Sequence, residues 1–253
     1  MDTLDRSADR HRAVTPDLPP ELVANIEAYR GADALQRYTG ACELTDVEAL
    51  LIDAHFQPSD RVLDLACGGG RTTVPLYNNG YRVIGLDLSD PLIESARARH
   101  PQVDFRVGTY CDLPFEDASF DDILISFNGL DLAFPEAQRQ RALAECARVL
   151  VPGGRLLFSS HNIKSLHASP YYIRYRQRLA WMLRHAVTAF RRGSYVKDLN
   201  GQWTFFASQK YVRDETERAG FDLVDVMGLR QSRNGFFNTC CSPWIHYVCV
   251  RRG

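Results

Sequence analysis

An apolar run that empties into a glycine-rich turn constrains this chain more than any other feature: Val62-Leu63-Asp64-Leu65-Ala66-Cys67-Gly68-Gly69-Gly70-Arg71. The run reads as a buried strand, and the sequence beyond the turn as a helix. Glycines between the two let backbone approach a ligand closely, and a helix start presents free N–H groups with a partial positive charge. A second apolar run, Val83-Ile84-Gly85-Leu86-Asp87, ends in an acid 17 residues after Gly70. A carboxylate at that strand end is placed to accept both hydroxyls of a ribose. The dinucleotide fingerprint G-x-G-x-x-G needs a glycine where Thr73 stands. A smaller nucleoside, without a pyrophosphate, is therefore favoured over a nicotinamide dinucleotide.

The same alternation of short apolar runs and helical segments continues, the signature of βα units and a mostly parallel sheet. Strands are expected at 61–66, 81–87, 103–107, 122–127, 155–160, 221–227 and 244–251. Helices are expected after Gly70, after Ser89-Asp90-Pro91, across 135–150 and across 208–219. The third has Ala142, Leu143, Cys146, Val149 and Leu150 on one face and stops at Pro152-Gly153-Gly154. Upstream, Leu22, Ile26 and Tyr29 recur at helical spacing, and Thr45-Asp46-Val47-Glu48 has the form of a capping box. A length of 253 residues with 45% apolar content suffices for one large α/β domain. The 30 basic and 31 acidic side chains cancel to a net charge of −1, without the basic excess of a duplex nucleic-acid binder, so no DNA partner is expected. No run approaches the length of a membrane span, and the first twenty residues lack the apolar stretch of a secretory signal. Seven cysteines, with no C-x-x-C pair, fit free thiols in a reducing cytoplasm and suggest no metal site. The expected location is cytoplasmic, with no membrane partner.

The pattern Asp64-x-Ala66-x-Gly68-x-Gly70 resembles the first motif of the class I S-adenosylmethionine-dependent methyltransferases. Gly85-Leu86-Asp87-Leu88-Ser89 is similar to the second, which implies that Asp87 binds ribose and Leu88 lies against adenine. Gly108-Thr109-Tyr110-Cys111-Asp112-Leu113-Pro114-Phe115 resembles the third, whose loop closes over the adenine. Arg148-Val149-Leu150-Val151-Pro152-Gly153-Gly154 looks like the helix-to-strand hairpin before strand five. The resemblance implies a Rossmann-like, doubly wound α/β fold with a mostly parallel seven-stranded sheet and helices on both faces. It also implies a helical N-terminal lid and a helical insertion after strand five. Residues 1–20 form a mobile arm in this reading and 21–253 a single domain, with 60–162 the cofactor-binding core and 163–205 the insertion or lid on the substrate side. S-adenosyl-L-methionine is the implied cofactor, held by Asp64, Ala66, Gly68, Gly70, Asp87, Leu88, Thr109, Tyr110, Cys111, Asp112, Phe127 and Tyr38. Two positions depart from the family pattern. Thr109 stands where many relatives carry an acid. Ala66 stands where glycine is common, and is expected to fit with a negative φ.

Acceptor-side groups are expected at the carboxyl ends of strands four and five. Strand four runs into Ser126-Phe127-Asn128-Gly129-Leu130-Asp131 and strand five into Ser159-Ser160-His161-Asn162. His161, whose ordinary pKa lies near neutrality, is the first candidate for a base, with Asn128 and Asp131 fixing substrate or a helix start. Tyr38, in Tyr38-Thr39-Gly40, is placed in a lid that excludes water. From Lys164 to Lys197 there are eight basic residues and no acid, Arg174, Arg178, Arg184, Arg191 and Arg192 among them. This stretch is either an amphipathic helix with a solvated basic face or a lid that attracts an anionic acceptor. Tyr171, Tyr172, Trp203, Phe205, Phe206 and Phe236 are enough aromatics to line an apolar acceptor pocket. The expected function is methyl transfer to an oxygen or nitrogen of a small organic acceptor, anionic or aromatic. An RNA methyltransferase, a non-catalytic cofactor-binding module and a nicotinamide-dependent oxidoreductase are the alternatives.

Overall fold

The computed structural model describes residues 27, 29–40, 42–165, 193–197 and 202–253. The arm expected at 1–20, and residues 166–192 and 198–201 of the expected helical insertion, lie outside the described residues; so do Tyr171, Tyr172 and the insertion's arginines. Helices α1 (Ala32–Tyr38) and α2 (Asp46–His55) precede the sheet. The capping box expected at the start of α2 is present: the Thr45 hydroxyl accepts from the Glu48 amide, and the Glu48 carboxylate from the Thr45 amide. Then follow β1 (Arg61–Leu65), α3 (Thr73–Asn78), β2 (Arg82–Asp87), α4 (Asp90–Arg99), β3 (Asp104–Val107), β4 (Phe120–Ile125), a 3₁₀ turn (Gly129–Leu132), α5 (Glu136–Val149) and β5 (Leu150–Asn162). Farther along the chain come β6 (Ser194–Lys197), β7 (Trp203–Ala207), α6 (Gln209–Arg218), β8 (Phe221–Gly228), α7 (Gly235–Cys241) and β9 (Trp244–Arg251).

Strands β3-β2-β1-β4-β5 lie side by side, all parallel. The order runs outward in opposite directions from the β1/β4 pair, so the crevice at their carboxyl ends is where a doubly wound sheet takes its ligand. Strand β9 pairs antiparallel with β5 and with β8. Alternation on the strands divides the core between the two faces. Leu63, Leu65, Ile123, Ile125, Leu156 and Phe158 pack with Ala142, Leu143, Cys146 and Val149 of α5 and Val212 of α6. Val62, Leu124 and Leu157 pack with Val47, Leu51 and Ile52 of α2. Full burial of each such aliphatic side chain contributes about 1.5–3 kcal/mol.

The doubly wound class is as expected, with two corrections in detail. Among the described residues the sheet has nine strands where seven were expected, because β6 and β7 arise inside the segment read as helical. Four and five residues are too few for alternation to show, and the neighbouring apolar–basic stretch suggested a helical period instead. Strand β5 also starts at Leu150, so Pro152-Gly153-Gly154 lies within extended chain at a register shift between Phe120↔Leu150 and Asp122↔Arg155. Pro75 is the third residue of α3, where no intrahelical N–H is lost.

Candidate active site

The glycine turn is built on left-handed backbone: φ is +55° at Ala66, +56° at Gly68 and +92° at Gly70. The negative φ expected for Ala66 is therefore corrected; the turn bends there as sharply as at a glycine, and the Ala66 methyl sits against Gly129, where an added Cβ would lie only 2.9 Å from it. At Gly70 a Cβ would lie 2.7 Å from Phe105 Cζ, and at Gly69 it would run into the Tyr38 carbonyl oxygen. Asp64 is fully buried beneath the turn, and its Oδ2 accepts from the hydroxyls of Thr72 and Thr73, each at 2.6 Å. Its Oδ1 has no hydrogen-bond partner, and burial pushes the carboxyl up to about 6 against the pull of those hydroxyls. Asp64 thus braces the turn from below, and Thr73, the residue that broke the dinucleotide fingerprint, is one of its two clamps.

Asp87 ends β2 half-buried. Its Oδ2 accepts from the Gly68 amide and its Oδ1 from the Ser89 amide, both at 2.8 Å. Each carboxylate oxygen carries two lone pairs, so both retain acceptor capacity for a sugar hydroxyl. Burial raises the Asp87 carboxyl, while the amides of Ser89, Gly68 and Leu88 oppose that rise. Beside it Leu88 is 38% exposed, and Phe127, across the crevice, 54%. An acid flanked by exposed apolar side chains, next to a turn that excludes a Cβ, fits an adenosyl group.

The third expected loop is partly turned inward. Cys111 is buried, with its Sγ donating to the Gln138 carbonyl oxygen and its amide to Thr109 Oγ1. Tyr110 packs against the core, and Asp112 points outward, 3.9 Å from Arg141. The Gly108 amide donates to the Asp87 carbonyl oxygen and so ties this loop to β2.

Tyr38 lies against the glycine turn: its Cβ would be 3.6 Å from a Cβ on Gly68. Arg99 pins the arrangement, one guanidinium nitrogen donating to the Thr39 carbonyl oxygen at 3.0 Å and another to that of Gly69 at 2.6 Å. The Ser89 hydroxyl donates to the Tyr29 carbonyl oxygen.

The three residues singled out as catalytic come together at the carboxyl ends of β4 and β5. His161 Nδ1 lies 2.8 Å from Asp131 Oδ2, which also accepts the His161 amide at 2.7 Å. The carboxylate fixes the tautomer with the proton on Nδ1. That leaves the Nε2 lone pair facing Asn128 Nδ2 at 3.3 Å. Asn128 is on left-handed backbone, as is Phe127, and its amide donates to Ser159 Oγ at 2.8 Å; its Oδ1 is buried without a partner. The His161 ring lies 4.7 Å from that of Phe206 on β7, and Phe134 stacks on Trp203 at 5.2 Å. Phe205 is core, whereas Phe236 on α7 is 80% exposed. Asn162 caps α7, its Nδ2 donating to the carbonyl oxygens of Asn238, Thr239 and Ser242.

Two buried ionic networks were not anticipated. Arg71 makes a two-pronged pair with Glu48, at 2.7 and 3.0 Å, and covers the Phe127 ring at 3.8 Å; Ser126 bonds both partners. Burial opposes ionisation of Glu48, but Arg71, Ser126 and the Thr45 amide hold its carboxyl below the ordinary value. On the other side, Arg139 joins Asp131 to Glu215. Among the described residues no group of three or more His, Cys, Asp or Glu could hold a metal, and no helix is long and apolar enough to cross a membrane.

Residues 62–154 match the family model of a methyltransferase domain. The demethylmenaquinone methyltransferase of Renibacterium salmoninarum is 40% identical over 109 residues, 43% of this chain and 44% of that protein. A probable S-adenosylmethionine-dependent methyltransferase of Mycolicibacterium smegmatis is 38% identical over 109 residues, 43% of this chain and 41% of the relative. The chain thus spans under half the length of the curated relatives it matches. Among solved structures, a Burkholderia thailandensis 1,6-didemethyltoxoflavin-N1-methyltransferase, holding 1,6-didemethyltoxoflavin and S-adenosylhomocysteine, aligns with a TM-score of 0.65 at 18% identity, over 95% of this chain and 94% of that one. A methyltransferase of Methanosarcina mazei aligns with a TM-score of 0.63 at 19% identity, over 83% and 99%. At such identities the likeness shows the fold alone.

Proposed function

We propose that this chain, which carries the core of a class I S-adenosylmethionine-dependent methyltransferase, methylates an oxygen or nitrogen of a small organic acceptor with His161 taking up the proton. S-adenosylmethionine, when bound, supplies a methyl group already activated on a sulfonium. Asp87 would hold its ribose, Leu88 and the loop at 109–112 its adenine, and Gly68 and Gly70 the close backbone approach, with Asp64 keeping the turn in shape. Phe127 and Tyr38 border the same crevice. A relative named for demethylmenaquinone and a structural neighbour named for 1,6-didemethyltoxoflavin are in keeping with a small acceptor.

The observation that carries the reading is the 2.8 Å contact between His161 Nδ1 and Asp131, at the end of β5. With Nδ1–H committed to the carboxylate, Nε2 is the basic atom. A hydroxyl acceptor is protonated at neutral pH, so a positioned base adds typically 10²–10⁴-fold to its methylation. Asn128 occupies Nε2 until the acceptor's X–H takes that position. The proton then passes to Nε2 as the acceptor atom takes the methyl carbon and the carbon–sulfur bond breaks, with S-adenosylhomocysteine as the leaving group. Asp131 stabilises the imidazolium that results. The larger part of the rate, about 7–11 kcal/mol of barrier, comes from holding acceptor and methyl in line. The exposed Phe127 and the stacked Phe134 and Trp203 offer flat apolar surfaces for that purpose.

The test is methyl transfer from radiolabelled S-adenosylmethionine to a panel of small phenols and amines. His161→Ala should lower turnover at least about tenfold, with S-adenosylhomocysteine affinity unchanged. Unaltered single-turnover rates in the variant, or methylation of RNA but of no small compound, would overturn the reading.

A further inference from the structure

Behind His161 lies a chain of charges that the proton-transfer step does not touch. Arg139 on α5 is fully buried, and its Nη1 donates to Asp131 Oδ1 at 2.8 Å and to the Leu130 carbonyl oxygen at 3.1 Å. Its Nε donates to both carboxylate oxygens of Glu215 on α6 at 3.0 Å, and its guanidinium covers the Phe205 ring at 4.3 Å. Glu215 is itself buried, and Arg139 Nη2 has no hydrogen-bond partner. The Ser160 hydroxyl adds a bond to Asp131 Oδ1 at 2.7 Å.

Buried charges are costly unless they balance. Asp131, Arg139 and Glu215 together carry a net charge of −1, and a protonated His161 brings the four to zero. Removal of either carboxylate would leave the imidazolium as an unbalanced positive charge.

We propose that Glu215 is a positioning residue for His161: by cancelling the charge of Arg139, it leaves the single negative charge of Asp131 to favour the imidazolium formed when His161 takes the acceptor's proton. The proposal rests on the reading of His161 as proton acceptor. Among the described residues, the groups packed around this chain of charges from other elements leave the balance unchanged. Tyr195 of β6 donates to the Ala133 carbonyl oxygen, Tyr211 of α6 to Glu136 Oε1, and Tyr247 of β9 and Tyr110 lie close by; burial keeps all four hydroxyls protonated. Arg218 lies 6.0 Å over the Tyr211 ring towards the surface. His246 of β9, opposite Ser159, is held towards neutrality by burial.

The experiment is an NMR titration of histidine-labelled full chain, with the His161 signals assigned by their loss in His161→Gln, alongside thermal melts. Glu215→Gln should lower the His161 midpoint by about one pH unit, as loss of one charge at the far end of a buried chain of ion pairs does. Removing both charges in Arg139→Met/Glu215→Met leaves the net −1 on Asp131, so its midpoint should stay at the native value or rise. Glu217→Gln, on the exposed side of α6, should change nothing. A network that merely holds α5 and α6 together would not show a midpoint that falls in the single variant and is restored in the double one. An unmoved midpoint in a folded Glu215→Gln protein, or a fall in the double variant, would overturn the proposal. Where Glu215→Gln does not fold, the double variant decides by the same criterion. Full turnover in His161→Ala would instead end the proton-acceptor reading and leave the titration result standing, so the two failures are distinct.

Discussion

Replacement of Asp87 by alanine separates the cofactor site from the rest of the molecule, and the structure sets the size of the effect. The carboxylate receives the Gly68 and Ser89 amides at 2.8 Å, so its loss strips two charge-assisted bonds from the glycine turn as well as the proposed ribose contacts. A bond to a charged group is worth about 1.5–3 kcal/mol, and less where water can replace it. Asp87 is half-buried at the crevice, so the two amides are partly rehydrated in the variant and the fold should lose only about 1–2 kcal/mol. The ribose bonds form in an enclosed complex and carry the fuller figure, about 1.5–3 kcal/mol, which is roughly a ten- to hundredfold rise in Kd. Calorimetry with S-adenosylhomocysteine measures the second quantity and thermal melts of the free protein the first. Asp87→Asn should fall between the two proteins, because it keeps one acceptor oxygen but turns an NH₂ group towards an amide N–H. A folded Asp87→Ala protein with native affinity for S-adenosylhomocysteine would refute the assignment and with it the reading of the turn.

Two further outcomes concern stability. Ala66→Gly should stabilise the fold by about 0.5–1 kcal/mol, since a left-handed φ of +55° costs an alanine roughly 1–2 kcal/mol and the added freedom of glycine when unfolded returns about 0.4–1; a lower melting temperature would show that the methyl packed against Gly129 outweighs the strain. Asp122 is fully buried in β4 with Arg155 at 3.3 Å, and burial, with Asp60 nearby, pushes its carboxyl up to about 8. Because the folded pKa is the higher one, its contribution is whole below pH 4 and declines by about 1.4 kcal/mol per pH unit until pH 8. The stabilisation of Asp122→Asn over the native chain should therefore be smallest at pH 4, grow to pH 8 and then level off; a difference independent of pH would contradict the assignment.

The parallel half of the sheet was legible because β1, β2, β4 and β5 are largely buried on both faces, which gives each a short apolar stretch bounded by glycine, proline or polar residues. The glycine turn and Asp87 were legible because a close backbone approach and a strand-end carboxylate leave marks within a few residues. His161, Asn128 and Asp131 could be placed at the ends of their strands, but their contact depends on the spacing of β4 and β5, which no local pattern encodes. Strands β6 and β7 were not legible: each is short, and each gains its apolar partners only by pairing beside the end of β5.

The missed charges share one property that the sequence does carry. Arg139 lies three residues before Ala142 and seven before Cys146, on the apolar stripe that identified α5. Glu215 lies three after Val212, and Glu48 three before Leu51, in each case on the buried face of its helix. A charged side chain in register with a core stripe cannot be solvated there, so it must meet an opposite charge arriving from another element. Glu48 meets Arg71 beside the glycine turn, and Arg139 meets Asp131 and Glu215 behind His161. Helical spacing thus marks these positions as requiring partners, and only the packing of the helices on the sheet supplies their identity.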